Sequence, residues 1–500
     1  MTGARPVPAG LMAAFHAYET ALMTNDVAEL DRLFADTPTT LRGDSSGLLV
    51  GHDQIRAFRG TRGGAPARKI AQTHVQTIDD SHALVVAVTR LASGGLGQQT
   101  QLWVRHPDQG WQVTAAHVSV PAPALDTRIW RVVGDPLVAG AEHGSLAGHT
   151  VAVKDLFAVA GQPIGAGNPA WLAQADIETV DATAVAALRS AGAAIRGIAR
   201  TDEFAYSLAG VNEHYGTAPN PPAPGRLPGG SSSGSATAVS LGQATVGLGT
   251  DTGGSIRVPS AYQGLFGIRT THGAVSRDGL LPLSPRFDTV GWMTRSADDL
   301  AAVGDVLIPP GPIATGSVVV AIPELLDLAD ADVAAAVAGS LPETKKTEHW
   351  DLGALDSWLA AMQTVQAYEA WQSYGSWLGS RLETLGDDVR GRFERAAAVS
   401  EEAVASAHGV LATAREQILG RVNDRIIVLP STSSIAPRPA DAQTARDATM
   451  RLTCLAGIGG LPAVSIPVRT ASGAPAGLCL LAAPGRDRDL LELARTWASA

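Results

Sequence analysis

Cysteine is nearly absent: five hundred residues hold two, Cys454 and Cys479, each in an apolar run. That excludes a disulfide framework and fits a reducing compartment. Spacings such as His-Glu-x-x-His or Cys-x-x-Cys are missing too, so no metal or cofactor is expected. No uncharged apolar run reaches the ~18 residues a membrane span needs, and the N-terminal MTGARPVPAGLMAAF lacks the apolar stretch of a signal peptide. The formal charge of −10 argues against phosphate neutralisation, and so against nucleic acid as a partner. A cytoplasmic protein with no membrane or nucleic-acid partner is the expectation. Lysine is the most telling scarcity: among 38 basic residues there are four, Lys69, Lys154, Lys345 and Lys346. The chain uses arginine where it needs positive charge, so a lysine inside an apolar strand asks for a chemical reason.

What is present divides in two. Five hundred residues exceed one ordinary core. Leu11, Phe15, Tyr18 and Leu22 recur at helical spacing, Val27, Leu30 and Phe34 mark a second helix, and DQIRAFRGTR a third. Strand-like runs follow at KIAQTHVQTID, HALVVAVTRLA and GQQTQLWVRH…GWQVTAAHVSV, the last turning at Pro107–Gly110. Helices followed by a curled antiparallel sheet predict a small α+β cone over 9–122, with a linker over 123–135. From 136 to 500 the chain becomes an Ala/Gly-rich α/β domain. TVAVKDLFAV, AAIRGIART, ATVGLGTD, RIIVLPS, AVSIPV and GLCLLAA read as buried strands, DATAVAALRSAG and SATAVSLGQ as helices, and 355–421 as a helical region.

Residues 228–235, PGGSSSGS, admit four readings: linker, phosphate cradle, nucleophile elbow or hydroxyl-bearing active-site loop. An elbow centred on Ser232 needs a strand running into it, yet PNPPAPGRLP before it holds five prolines. A phosphate loop needs Gly-Lys-Ser/Thr, and no lysine lies between 155 and 344. A second segment of like character, GLGTDTGGSIRVPS (247–260), weakens the linker reading. Two glycines before Ser255 let backbone N–H groups converge into an anion-binding nest beside a hydroxyl, which is what acyl transfer requires. No histidine accompanies it. The remaining base is Lys154, whose ammonium burial in a strand would disfavour; the alternative is a buried ion pair with Asp155 or another carboxylate.

AVKD, GGSSSG and GTDTGGSIRVP, in this order and spacing, resemble the amidase-signature hydrolases over roughly 135–500. The resemblance implies a mixed sheet flanked by helices and an amidohydrolase with a Ser-cisSer-Lys triad. In it Lys154 is the base, Ser231 the bridging serine after a cis peptide bond, and Ser255 the nucleophile that forms an acyl-enzyme. The N–H groups of Thr252, Gly253, Gly254 and Ser255 are the implied oxyanion hole. Ser232, Arg257 and Gln263 are candidate substrate contacts, although a structural ion pair is the preferred role for Arg257; Gln263 stands where cysteine is common beside the pocket. DEFAYSLAGVNEHYGTAPNP and RFDTVGWM resemble plant-type indole-3-acetamide amidases, implying a small primary amide with an apolar acyl part, while GGSSSGS also resembles allophanate hydrolases and keeps a ureido substrate in view. AYETALMTNDVAELDRLF, GHDQIRAFR and WQVTAAHVS resemble AtzH-like, nuclear-transport-factor-2-like domains. Such a cone implies either a pocket lined by Tyr18, Arg42 and His117 or a homodimer surface. A non-catalytic amidase-like scaffold is the competing class.

Overall fold

The computed structural model describes residues 5–44, 47–61, 65, 68–91, 96–119, 125–311, 313 and 318–498. Contacts divide the chain into two compact units, Met1–Leu125 and Asp126–Ala500.

In the first unit, helices Leu11–Thr24, Val27–Arg32 and His52–Thr61 accompany a sheet of β1 (Leu41–Asp44), β2 (Gly47–Val50), β3 (Arg68–Thr77), β4 (His82–Leu91), β5 (Leu96–His106) and β6 (Gly110–Ser119). Its order is β2-β1-β6-β5-β4-β3. The expected α+β organisation is present. The added feature is the short β1–β2 hairpin, with β1 parallel to β6, which four-residue strands carrying Gly43 and Gly47 do not announce by alternation. Leu11, Phe15, Tyr18, Phe34, Val85 and Trp103 are among the residues that fill the core.

The second unit is built on an eleven-stranded mixed sheet. Its strands are β7 (Trp130–Val138), β8 (Thr150–Lys154), β9 (Ala194–Ala199), β10 (Val246–Asp251), β11 (Phe266–Arg269), β12 (Thr289–Thr294), β13 (Val319–Ala321), β14 (Lys346–Thr347), β15 (Ile426–Pro430), β16 (Ala463–Arg469) and β17 (Pro475–Leu481). They lie in the order β14-β13-β15-β17-β16-β11-β12-β10-β8-β9-β7. The linker expected over 123–135 ends earlier than that: Trp130–Val138 pairs with β9, so residues 130–135 belong to the sheet. The helical region comprises Leu355–Leu378, Asp387–Ala397 and Glu401–Val422. Two of its aromatic rings pack inward: Tyr374 and Phe393 meet Trp171 and Phe204 of earlier segments in edge-on and tilted contacts.

β8 and β10 are neighbouring parallel strands, so their carboxyl ends, Lys154 and Thr250–Asp251, emerge side by side. The helix Ser233–Ser240 follows the PGGSSSGS loop and lies against β10. Its small residues are a packing requirement. A Cβ on Gly234 would sit 2.5 Å from the Ile129 carbonyl oxygen and 2.6 Å from that of Arg200. Gly234→Ala is therefore expected to destabilise this unit by about 1–3 kcal/mol, read as a lower urea midpoint; an unchanged midpoint would show that the helix can shift without cost.

Among the described residues, no helix is long and apolar enough to cross a membrane, and no cluster of His, Cys, Asp and Glu is arranged to hold a metal ion.

Candidate active site

Lys154 is fully buried at the end of β8, and three hydroxyls surround its amine. Nζ donates to Ser231 Oγ at 2.8 Å, Thr250 Oγ1 at 2.7 Å and Ser232 Oγ at 3.1 Å. Among the described residues no carboxylate is in ion-pair contact with it. Asp155, in the turn that follows β8, pairs instead with Arg131 at 2.9 Å and accepts from Gly165 N–H. Burial pushes the Lys154 ammonium down to about 7, against the opposing pull of Asp202, Asp288 and Asp251.

Ser231 is held by its backbone. The Gly230–Ser231 peptide is cis, and the Ser231 carbonyl accepts from Thr201 Oγ1 at 2.9 Å and Asp202 N–H at 3.2 Å. Its Oγ donates to Ser255 Oγ at 3.0 Å. One row of buried polar atoms thus runs Lys154 Nζ, Ser231 Oγ, Ser255 Oγ.

Asp251 organises the turn that carries Ser255. Its carboxylate accepts from Gly254 N–H at 3.0 Å, Ile256 N–H at 3.2 Å, Arg257 Nη2 at 2.9 Å and Arg269 Nη1 at 3.0 Å. Burial opposes its ionisation, yet Arg257 and Arg269 outweigh burial and hold the carboxyl well below the usual range. Gly254 has φ +125°, a left-handed value that a side chain would strain.

This network corrects three expectations and decides the role of Arg257. The Gly254 N–H is committed to Asp251, which leaves the N–H groups of Thr252, Gly253 and Ser255 without a protein acceptor among the described residues. Arg257 takes the structural ion pair and not the substrate role, locked between Asp251 and the Thr453 carbonyl. Ser232 points at Lys154 and gives its own proton to the Thr250 carbonyl at 3.3 Å, so it braces the amine. Gln263 donates to the Pro228 carbonyl at 3.0 Å, beneath the serine loop and outside the lining of the Ser255 cleft. Two residues not foreseen are Thr250, which stood in plain sight within GTD, and Asp288, which accepts from Thr252 Oγ1 at 2.6 Å.

Ser255 opens on a narrow cleft lined by Tyr206, Leu208, Leu283, Gln366, Arg446 and Met450, with Thr252 and Gly253 beside it.

The family model described as Amidase matches residues 134–324, and that described as AtzH-like matches residues 4–123. Amidase 1 of Arabidopsis thaliana is 34% identical over 417 residues, spanning 74% of this chain and 97% of that protein. The chain belongs to the amidase-signature family. A solved structure described as a crystal structure of amidase shares 29% identity at TM-score 0.65, covering 71% of this chain and 85% of that one. Another, of a vestigial protein complex that reveals the evolutionary origins of an s-triazine catabolic enzyme, shares 27% identity at TM-score 0.67, covering 71% and 84%. This amidase-signature protein is accordingly a hydrolase of amide C–N bonds, preceded by an AtzH-like domain.

Within the AtzH-like domain, Tyr18 and Arg42 do line a cavity, together with Arg59 and Arg68. His117 does not. Val118 lines the cavity, and alternation places His117 on the opposite face of β6, exposed, where its Nδ1 would lie 3.1 Å from a Cβ on Gly43. Arg42 pairs with Asp44 at 2.8 Å and Arg68 with Glu19 at 2.9 Å.

Proposed function

We propose that this hydrolase works through an acyl-enzyme on Ser255. The observation that carries the reading is the unbroken row from Lys154 Nζ to Ser231 Oγ (2.8 Å) to Ser255 Oγ (3.0 Å). A neutral amine has two N–H bonds and one lone pair, which suits three hydroxyl neighbours. In the neutral amine Thr250 and Ser232 keep the two hydrogens, and the contact with Ser231 reverses: the Ser231 hydroxyl turns from Ser255 to the lone pair and accepts from the Ser255 hydroxyl instead. As Ser255 Oγ bonds to the amide carbon, its proton passes to Ser231 and that of Ser231 to Lys154. The N–H groups of Thr252, Gly253 and Ser255 receive the oxyanion. The relay then runs backward: Ser231 protonates the leaving nitrogen, ammonia departs, and water resolves the ester through the same three groups. The substrate on this reading is a small amide, or a ureido compound cleaved by the same steps. The scaffold reading is disfavoured because all three relay members are in place.

A fluorophosphonate probe followed by peptide mass spectrometry tests the assignment: the adduct is expected on Ser255. An adduct on Ser232, or labelling that persists in Ser255→Ala, would overturn it.

The relay starts only when Lys154 is neutral. Since burial holds its ammonium near 7, kcat/KM is expected to rise about tenfold per pH unit below that value and to level off above it. Burial raises Asp202 and Asp288 to about 6; each negative charge they acquire favours protonated Lys154 and so stretches the rising limb. A profile flat from pH 5 to 8 would remove Lys154 from the role of base.

A further inference from the structure

Leaving Ser255, the narrow cleft passes Tyr206, Gln366 and Arg446, and these three residues also line a larger cavity of about 720 Å³. Its remaining charged walls are Arg392, Arg395, Asp388 and Asp447. Three guanidinium groups therefore face two carboxylates, and both carboxylates lie at the solvent side, Asp388 56% and Asp447 57% exposed.

The guanidiniums are incompletely matched. Arg392, only 7% exposed, spends Nη2 on Asp388 at 2.7 Å, while its buried Nε has no partner. Arg446 reaches Asp447 only at 3.3 Å through Nη1, and its buried Nε is likewise unpartnered. Burial first, and then the neighbouring Arg392, push the Arg446 guanidinium down to about 10, as expected where two like charges share a poorly hydrated space. The Tyr206 phenol stands in the same field and remains protonated: burial raises it, although Arg392, Arg446 and Arg395 pull the other way. A carboxylate is the group that satisfies such a set, since it accepts a guanidinium fork and a phenol hydrogen together.

We propose that Arg446, backed by Arg392, receives a carboxylate at the far end of the acyl chain. The substrate class is then a small amide whose acyl part ends in an acid, in place of the apolar acyl group that the sequence resemblance implies. Arg446 is a specificity-determining residue in this proposal. Because it borders the same narrow cleft as Ser255, the chain joining amide and acid is short. Remote binding of the acid end fixes the amide carbonyl over Ser255. The inference rests on the acyl-enzyme reading above.

The test uses the full-length protein and paired substrates: the straight-chain dicarboxylic mono-amides from malonamate to adipamate, each beside the neutral primary amide of equal length. For at least one pair, kcat/KM for the acid is expected to exceed that of the neutral amide by about 30-fold or more. In Arg446→Gln that ratio is expected to fall to near one, and Arg446→Lys to recover part of it. Neutral amides hydrolysed as well as their acids, or a ratio unchanged in Arg446→Gln, would overturn the inference while leaving the acyl-enzyme reading intact. A Ser255 that takes the fluorophosphonate while no acid amide of any length is cleaved overturns it equally. Failure of both columns with no label on Ser255 instead sinks the acyl-enzyme reading itself.

Discussion

Replacing Ser255 with alanine is expected to lower kcat for amide hydrolysis by roughly five to six orders of magnitude, judged from other serine hydrolases in which one member of a relay is removed. The size of the effect follows from what remains. The N–H groups of Thr252 and Gly253 still polarise a bound carbonyl, but water must attack it unassisted by a covalent step. Lys154→Ala is expected to cost nearly as much, because Ser255 then has no proton acceptor: the three hydroxyls around Nζ have ordinary alcohol acidity, and Asp202, Asp288 and Asp251 are engaged elsewhere. The decisive measurement is the double variant, assayed by ammonia release on any amide the wild type cleaves. If Lys154, Ser231 and Ser255 act as one relay, adding Lys154→Ala to Ser255→Ala costs almost nothing further. Independent, multiplying losses would show that Lys154 supports the fold and takes no proton.

Much of this arrangement was legible in the chain, and the reasons differ by residue. Lys154 stood out because lysine is rare here and because VAVKDLF is a strand with no room for a solvated ammonium. The strands ATVGLGTD and AVSIPV were legible because buried parallel and antiparallel strands are continuous apolar runs. What failed to show was anything decided by a side chain's partner. Arg257 beside Ser255 leaves a substrate role open next to the structural ion pair, and only the fold shows that Asp251, six residues earlier, reaches it across the turn. Gly254 N–H, expected among the oxyanion donors, goes to the same carboxylate. His117 failed through register: one residue along β6 exchanges cavity for solvent. Gln366 and Arg446 come from helices with no local signature, and only their packing near Ser255 reveals them. The end of the linker is hidden in the sequence because Pro136 interrupts an apolar run that nevertheless pairs with β9 as an edge strand.

That dependence on one carboxylate makes Asp251 the most consequential structural residue of the site. Arg257 and Arg269 are buried, and each meets Asp251 within 3.0 Å. Neither is free to turn toward water: Arg257 Nη1 is tied to the Thr453 carbonyl and Arg269 Nη2 to that of Phe287. Asp251→Asn preserves shape but leaves two guanidiniums uncompensated in the interior, so a loss of about 3–5 kcal/mol is expected. A contrast lies on the surface, where Asp298 faces Arg495 at 2.8 Å with the carboxylate 81% exposed; Asp298→Asn is expected to change stability by less than about 1 kcal/mol. Urea denaturation followed by tryptophan fluorescence checks both. The Asp251 variant carries a second signature, because its carboxylate fixes the N–H groups of Gly254 and Ile256 on either side of Ser255. Below the unfolding transition it is expected to react with fluorophosphonate far more slowly than wild type. A variant with the same urea midpoint and labelling rate as wild type would mean that the two arginines, and not the carboxylate between them, hold the turn.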